Sequence, residues 1–284
     1  MNIWLVYQEE DVTKNQWYID QYIQLGKRIG MNIQLVLVED LTMICKQGKY
    51  HLLWKHKLVK LPKGAIVRAI NPKLSAFFEC LGIRVFNRAV ISEICNDKAK
   101  TYQNIVPLNI PMIPTVCCRH RDLVHVLENM SLPAVVKTVD GHGGQEVFLI
   151  HQLDSNVSDI LEKTTSDFVV QPLIGSKHQD LRIYILGKEI FAAVLRTSNS
   201  EFKANYSLGG SVQRYELNEK EIQLIDQIVN KFDFDLVGID FIIGDEGELI
   251  FNEIEDVVGA RMLYECTDID IVWEYLIYIR QHLV

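Results

Sequence analysis

The chain has 284 residues, of which 48% are hydrophobic and 23% charged, and its formal net charge is −8. Such a chain can form one large or two to three small domains with real cores. No run of about 18 uncharged apolar residues is present, so we expect no membrane partner. The start of the chain lacks signal-peptide features and the acidic total argues against a nucleic-acid partner, so we expect a cytoplasmic protein.

The first third of the sequence alternates between strand and helix patterns. The segments predicted as strands are NIWLVY (2–7), IQLVLV (33–38), AIVRA (65–69) and IRVF (83–86). Helices are predicted near 14–29 and from Pro72 to about Gly82. The fold class is therefore α/β, with an open parallel sheet over residues 1–95. No glycine-rich dinucleotide turn follows the first strand and no P-loop is present, which disfavours a nicotinamide dehydrogenase and a P-loop enzyme.

The remaining two thirds, after a proline-rich segment at 106–115, have shorter strands at hairpin spacing. The predicted strands are PAVVKTV (133–139), EVFLI (146–150), FVVQPLI (168–174), LRIYILGKEIFAAVLR (181–196), LVGIDFII (236–243) and ELIFNEI (248–254). Helices are expected near 155–163, near 218–231 and at the end of the chain. This pattern predicts α+β lobes behind the parallel first domain.

Three carboxylates, Asp240, Glu253 and Glu255, occur on two strands that are otherwise apolar. A two-residue loop within GDEG (244–247) would pair residue 240 with 251, and strand alternation would then place the three carboxylates on one face. Their repulsion can be relieved by raised pKa values, by basic partners or by hard cations. A network of ion pairs and a metal site are both compatible with this pattern.

Lys137 lies within the apolar strand PAVVKTV, where an unpartnered lysine is rare. The loop that follows contains Gly141, Gly143 and Gly144, whose backbone can approach phosphate oxygens closely. Most glycine-rich loops between strands are only turns. Mg²⁺, however, is commonly held by one or two carboxylates plus substrate phosphates, so the lysine and loop favour the metal interpretation.

These features together resemble the ATP-grasp superfamily and, within it, the RimK-type amino-acid ligases, which are similar to alpha-L-glutamate ligases. The resemblance covers nearly the whole chain. It implies a pre-ATP-grasp domain (1–95), a central ATP-grasp lobe with a glycine-rich lid (96–172) and a C-terminal lobe with the metal site (173–284). NDKAKTYQ (96–103) resembles the start of the central lobe, and VVKTVDGHGG resembles the second lysine and the lid.

The resemblance also implies roles for individual residues. VVQPLI (169–174) is similar to the hinge that binds adenine, and VLRTSNSEFKANYSLGG (194–210) resembles the catalytic region. The implied ATP-binding residues are Lys98, Lys137, Gly141, Gly143, Gly144, Gln171, Pro172, Leu173 and Ile174, with Asp180 as a ribose contact. The implied catalytic residues are Arg196, Lys203 and Asn205, and the implied metal ligands are Asp240, Glu253 and Glu255.

The sequence departs from the family pattern at three places. Lys203 stands where arginine is more usual, and Glu255 stands where the family usually has asparagine. An extra negative ligand could tighten Mg²⁺ binding or change the preferred ion. Downstream, Gly259-Ala-Arg261-Met occupies a region that approaches the substrate in relatives, so the resemblance does not identify the substrate.

The activity implied by the resemblance is an ATP-dependent ligase that joins a carboxylate to an amine through an acyl phosphate. The implied cofactors are ATP and Mg²⁺, with two ions expected and Mn²⁺ as an alternative. The implied partners are small-molecule carboxylates and amines, including a peptide terminus, and a homo-oligomer is left open. The alternatives are a non-catalytic ATP-binding regulatory or scaffold protein, and an ATP-grasp enzyme with different acceptor chemistry.

Overall fold

The structure, a computed structural model, describes residues 1–144, 146–176, 178–198 and 210–283. The strands are β1 Asn2–Tyr7, β2 Asn32–Leu37, β3 Leu41–Lys46, β4 Lys49–Trp54, β5 Lys57–Leu58, β6 Gly64–Val67, β7 Arg84–Phe86, β8 Val116–Cys118, β9 Ala134–Thr138, β10 Val147–Ile150, β11 Phe168–Pro172, β12 Gln179–Leu186, β13 Glu189–Thr197, β14 Ser211–Arg214, β15 Leu236–Ile243 and β16 Leu249–Glu255. The helices are α1 Glu9–Arg28, α2 Pro72–Cys80, α3 Ala89–Cys95, α4 Lys98–Ile105, α5 Leu123–Glu128, α6 Ser155–Lys163, α7 Glu219–Lys231, α8 Arg261–Cys266 and α9 Ile271–Gln281.

The N-terminal region contains the predicted parallel sheet, in the order β2-β1-β6-β7. Its central strand β1 is buried from Ile3 to Tyr7, as expected for a parallel strand that is covered on both faces. Helix α2 begins at Pro72, behind an Asn71 side chain that accepts a hydrogen bond from the Leu74 amide. A small antiparallel sheet, β3-β4-β5, was not predicted as such.

The central lobe is an antiparallel sheet in the order β10-β9-β11-β8. Apolar residues of α5 and α6 pack with the alternate residues of β9 and β11 that point toward these helices. Lys137 occupies the middle of this sheet, paired with Val147 of β10 and Val169 of β11. Alternation therefore gives Lys137 the face opposite to the one that packs on the helices.

The C-terminal lobe is an antiparallel sheet in the order β14-β13-β12-β15-β16. Helix α7 packs on one face, and its first turn is closed by a reciprocal capping box between Asn218 and Glu221. On the other face, Tyr184 and Val194 share a hydrophobic core with β1, α1 and α9. The N-terminal region is therefore packed against this lobe rather than joined to it only by a linker.

The predicted register of the β15–β16 hairpin is wrong. Asp240 pairs with Glu253, and Phe241 pairs with Phe251, so Asn252 is an extra residue that forms a bulge. The loop is also longer than two residues, because the last pair is Ile243 with Leu249. Phe251 is fully buried and contacts Phe241 edge to face at 6.1 Å, so it faces the core rather than the carboxylates. The bulge nevertheless leaves Asp240 and Glu253 on one face.

None of the helices in the described ranges is long and apolar enough to cross a membrane.

Candidate active site

A cleft of about 310 Å³ lies between the central sheet and the C-terminal sheet. A volume of this size is typical of a small-molecule site. It brings together most of the residues that the sequence predicted for ATP and metal binding. Those that line it are Lys98, Lys137, Gly141, Gly143, Gly144, Gln171, Pro172, Leu173, Ile174, Asp180, Arg196, Glu253 and Glu255. Asp240 lies behind the wall at 1% exposure, and Lys203 and Asn205 lie outside the described residues.

Lys98 is positioned by the start of helix α4. The Asp97 side chain caps this helix by accepting a hydrogen bond from the Lys100 amide at 3.0 Å. The Lys98 amide donates to the carbonyl of Val139 at 2.8 Å, which ties the helix start to the end of β9. The Lys98 ammonium donates to the carbonyl of Gly141. The first lysine and the glycine-rich loop are therefore in direct contact.

Lys137 is almost fully buried, and its ammonium donates to Oδ1 of Asn252 at 2.9 Å. Burial lowers the pKa of Lys137 to about 8, an effect that the carboxylate of Glu253 opposes and the charge of Lys98 reinforces. Its direct hydrogen-bond partner is a neutral amide, so its positive charge is only partly compensated. An anionic ligand would compensate this charge.

The glycine-rich turn depends on its glycines for two different reasons. Gly143 and Gly144 have φ values of +63° and +73°, a conformation that is strained for other residues. A Cβ atom on Gly141 would clash with Thr138 Oγ1 and approach Glu146 Oε2 to 2.7 Å. Within the described residues a Cβ on Gly143 would meet nothing within 4 Å, so this part of the turn borders open space.

The hinge residues line the cleft, but the Gln171 side chain is directed inward. It is 1% exposed and donates to Tyr102 Oη at 2.6 Å and to Thr115 Oγ1 at 2.8 Å. Tyr102 in turn donates to the carbonyl of Asn252 at 2.6 Å. Gln171 therefore fixes the wall of the cleft, and only its backbone and the residues after it are left to contact a ligand.

Asp240 belongs to a buried ion network. Its carboxylate accepts hydrogen bonds from Arg182 Nε at 2.8 Å, from Arg182 Nη2 at 2.6 Å and from Arg196 Nη2 at 2.7 Å. Burial alone would raise the pKa of Asp240, but the two guanidinium groups lower it well below its usual range. Both oxygens of Asp240 thus already have cationic partners.

Asp180 and Glu255 extend this network at its two ends. Arg196 binds both oxygens of Asp180, and Arg182 lies 2.6 Å from Oε1 of Glu255. Burial raises the pKa of Asp180, and the charge of Arg196 opposes that rise. The predicted ribose contact Asp180 and the predicted catalytic residue Arg196 are therefore bound to each other at the edge of the cleft.

Glu253 differs from the other two predicted metal ligands. Oxygen atoms of Asp240, Glu253 and Glu255 lie within 4.8 Å of one another. Among the described residues, the Glu253 carboxylate accepts no hydrogen bond and forms no ion pair within 4 Å. Oxygen-only ligands that converge beside two lysines suit Mg²⁺ with a bound phosphate. Glu253 and Glu255, which line the cleft, could hold such an ion, with Asp240 behind them.

The sequence interpretation missed three residues of this site. Arg182 lies within the apolar strand LRIYIL, and the signal that identified Lys137, a cation in a buried strand, applies equally to it. Asn252 reaches Lys137 only because the bulge turns it toward the cleft, so strand alternation alone did not reveal it. Tyr102 links Asn252 to Gln171 through its hydrogen bonds, and no sequence motif distinguishes it.

The four-sheet fold and the cleft with its lysines, glycine turn and carboxylates define an ATP-grasp protein. Similar solved structures are a RimK domain ATP-grasp protein from Sphaerobacter thermophilus and the VanG D-Ala:D-Ser ligase from Enterococcus faecalis. The first has a TM-score of 0.75 at 16% identity and covers 98% of this chain and 99% of that one. The second has a TM-score of 0.77 at 12% identity and covers 100% of this chain and 99% of that one. At such low identity these similarities show the fold.

A model of the RimK-like ATP-grasp domain matches residues 95–279, so the chain belongs to the RimK-like ATP-grasp family. A similar curated protein is human N-acetylaspartylglutamate synthase A, which is 27% identical over 258 residues. The match covers 85% of this chain and 66% of the length of the human protein. The predicted family and fold class are confirmed by these similarities.

Proposed function

We propose that the chain is an ATP- and Mg²⁺-dependent ligase that joins a carboxylate to an amine through an acyl phosphate. The observation that carries this proposal is the arrangement of one cleft, which Lys98, Lys137 and the glycine turn line together with Glu253, a carboxylate that has no ion-pair partner among the described residues. Phosphoryl transfer requires mainly positioning and charge neutralisation, which is what such groups provide. The family membership supports the same reaction class.

Each side of the cleft has its own part in this reaction. Lys137, held by Asn252, and Lys98, held at the start of α4, neutralise phosphate oxygens. The hinge from Gln171 to Ile174 provides the adenine site through its backbone. Mg²⁺ bound at Glu253 and Glu255 would supply charge neutralisation between the phosphates.

The remaining charged residues orient these groups. Arg182 and Arg196 hold Asp240 and Glu255 in place through the buried network, and Arg196 also lines the cleft. Lys203 and Asn205 keep their predicted catalytic roles. The turn at Gly143 and Gly144 is suited to close over the acyl phosphate and exclude water.

The substrates we propose are an acid and an amino acid or peptide terminus. The name of the human relative contains glutamate, so L-glutamate is the first amine to test. The reaction consumes ATP, the acid and the amine and releases ADP, phosphate and the amide.

A coupled assay of ADP release, run over a panel of acids with amino acids, tests this proposal. The expected result is release that requires Mg²⁺ and both substrates, with one amide formed for each ADP. Lys137→Ala should abolish it, whereas Lys100→Ala should not, because Lys100 only pairs with Glu93 at the surface. Turnover retained in Lys137→Ala would contradict the proposal.

A non-catalytic ATP-binding role is the second candidate, and one observation favours it. The predicted ligand Asp240 and the predicted catalytic residue Arg196 already neutralise each other. Isothermal titration with ATP and Mg²⁺ separates the two candidates. Tight ATP binding without ADP release in the full panel would favour the regulatory protein.

A further inference from the structure

Arg68 lies at the carboxyl end of the parallel N-terminal sheet. Its amide donates to the carbonyl of Val6 at 2.8 Å, which places it just beyond the paired ends of β1 and β6. In the strand order β2-β1-β6-β7, the chain passes from β1 to β2 on one side and later adds β6 and β7 on the other side of β1. Strands β1 and β6 therefore flank the switch point, where the strand order reverses. In open parallel sheets this is where ligands bind.

The guanidinium of Arg68 has no carboxylate partner among the described residues. Its Nη2 donates to the carbonyl of Val258 at 2.9 Å, while its Nε is buried and without a hydrogen-bond acceptor. The nearby carboxylate of Asp256 is already held by Asn87 and Asn96. Arginine cannot lose its proton in a protein, so this part-buried guanidinium, whose neighbouring carboxylate is hydrogen-bonded elsewhere, keeps a charge that is only partly balanced.

Apart from Asp256, whose carboxylate interacts with the charge of Arg68, the surroundings of Arg68 are phenolic. Tyr7, Tyr22 and Tyr275 interact with it electrostatically. Burial raises the pKa of Tyr18 to about 12, and the charges of Arg68 and Arg261 both oppose that rise. The Tyr18 hydroxyl is close to the Ala260 amide but forms no hydrogen bond of normal geometry with a described residue. The Tyr18 hydroxyl is thus within electrostatic reach of both guanidinium groups.

Tyr18, whose hydroxyl interacts electrostatically with Arg68, lines a second cavity. This cavity has a volume of about 290 Å³ and is lined by Lys14, Trp17, Tyr18, Arg261 and Tyr264. Arg261 donates to the carbonyl of Lys14 but, within the described ranges, forms no ion pair. The cavity therefore combines aromatic rings with the positive charge of Arg261, which pairs with no carboxylate of the described residues.

The cavity is also tied to the proposed reaction site. Val258, the acceptor for Arg68, follows Glu255 by three residues, and the intervening Asp256 and Val257 line the nucleotide cleft. A ligand held by Arg68 would lie beside the turn that follows the proposed metal ligands. This is a suitable position for the second substrate of the proposed ligase.

We propose that Arg68, with Arg261 and Tyr18, forms a subsite for a carboxylate that does not react, namely the free α-carboxylate of an amino-acid amine substrate. This inference rests on the proposed ligase function for its place in the reaction. Arginine binds carboxylates through paired hydrogen bonds, and the orphaned Nε with its neighbouring nitrogen could form such a pair. The aromatic rings of Trp17 and Tyr264 would cover the apolar part of the substrate.

The test compares the KM for L-glutamate with the KM for its α-amide in the ADP-release assay, for wild type and Arg68→Gln. Hydrogen bonds to charged groups correspond to roughly tenfold to 100-fold in affinity. We expect Arg68→Gln to raise the KM for glutamate by about that factor, with little change for the α-amide or for ATP affinity. Arg68→Lys, which keeps the charge, should restore part of the preference.

Two kinetic results would overturn the assignment. An equal rise in KM for glutamate and α-amide would indicate that Arg68 only supports the turn at Val258. A rise that instead follows a second carboxylate on the acid substrate, compared with its monoamide, would assign the subsite to the acid. Unchanged ATP binding in the variants shows that they are folded.

Direct binding tests the subsite separately from the reaction. Thermal unfolding is followed without ATP in the presence of each standard amino acid or its α-amide. We expect at least one amino acid to raise the melting temperature more than its amide does, and Arg68→Gln to remove that difference. If no amino acid stabilises the wild type more than its amide, the subsite is wrong, even if ADP release occurs. If the difference appears without ADP release from any pair, the ligase proposal fails and the carboxylate site stands.

Discussion

Asp240 and Glu253 pair directly across the β15–β16 hairpin, yet their surroundings are opposite. Asp240 is 1% exposed and accepts three hydrogen bonds from Arg182 and Arg196. Glu253 lines the cleft and, in the part of the chain that the structure describes, has no partner within ion-pair distance. The cluster of carboxylates is therefore divided into a half that is satisfied by the protein and a half that is open to a ligand.

The cations show the same division. Arg196 is buried between Asp180 and Asp240, whereas buried Lys137 donates to the neutral amide of Asn252. The two guanidinium groups lower the pKa of Asp240 against the effect of its burial, whereas burial lowers the pKa of Lys137 to about 8 against the weaker effect of Glu253. Neither Lys137 nor Glu253 has an ion-pair partner among the described residues. An external phosphate beside Lys137 and an external cation beside Glu253 can therefore contribute most.

The largest expected effect is a loss of stability when Asp240, the carboxylate that is already paired with two arginines, is changed. Asp240→Asn leaves Arg182 and Arg196 with less negative charge in a buried site, and breaking such a pair typically costs about 3–5 kcal/mol. We expect a loss of that size in the free energy of unfolding, measured by urea denaturation. Glu246→Gln, in the exposed hairpin loop, should change it by less than about 0.5 kcal/mol. If Asp240→Asn also changed the free energy of unfolding by so little, the ion pairs of Asp240 would not distinguish it from Glu253.

Glu253→Gln should leave the stability nearly unchanged and strongly reduce turnover. Because Glu253 has no ion-pair partner among the described residues, the free energy of unfolding should change by less than about 1 kcal/mol. Loss of one group that stabilises transferring charge typically costs about 100-fold or more in turnover, so ADP release should fall by at least that factor. The matched exposed variant Glu246→Gln should retain full activity. A stable Glu253→Gln protein with normal turnover would place the chemistry elsewhere.

The sequence identified some of the charged residues of this comparison and missed others. Lys137 was identified because a lysine is unusual in an apolar strand, and Arg182 and Arg68 carried the same signal in LRIYIL and AIVRA without being recognised. The face shared by Asp240 and Glu253 was predicted from the wrong register. The bulge at Asn252 depends on Phe251 packing against Phe241 and Tyr102, which are contacts that strand alternation does not encode.

The N-terminal sheet illustrates the same limit for the fold. Strands β1, β2, β6 and β7 were predicted because they are continuous apolar runs, which a buried parallel sheet requires. The pair β3 and β4 was missed because its burial is weak, with no buried residue in β3. Which cations receive counter-ions is decided by packing between distant segments, so that division could not be predicted.

The pH dependence of ATP binding should distinguish Lys137 from the arginines. Its pKa in the folded protein, about 8, is below that of an unfolded lysine, so the ammonium loses its proton as pH rises through about 8. ATP affinity should then fall by up to about tenfold per pH unit above that value. Lys137→Arg, which stays protonated, should bind ATP with an affinity that is flat over this range, as titration calorimetry would show.

The same shift has a consequence for stability, with the opposite sign. Between about pH 8 and pH 10.4 the unfolded chain binds more protons at Lys137 than the folded protein does. The free energy of unfolding should therefore rise with pH across this window in the absence of ligand. Lys137→Met should remove this contribution, and an unaltered pH profile would mean that the charge of Lys137 is compensated after all.

The smallest expected effect distinguishes the turn at Gly143 from the ordinary β3–β4 turn at Gly48. Gly143 and Gly48 both have positive φ values, and at both a Cβ would meet no atom of the described residues within 4 Å. Alanine at either position should cost about 1–2 kcal/mol of backbone strain. Only Gly143→Ala should also raise the KM for ATP, by a few-fold, because Gly48 lies in the β3–β4 turn. Equal KM values for the two variants would mean that the turn at Gly143 does not contact ATP.

The central claim is that the open half of the cleft binds ATP together with Mg²⁺. Isothermal titration of ATP into wild type and Glu253→Gln, each with and without Mg²⁺, tests it most directly. The account predicts that Mg²⁺ strengthens ATP binding to the wild type and that this strengthening is lost in Glu253→Gln, which remains folded. An equal effect of Mg²⁺ on both proteins would contradict it.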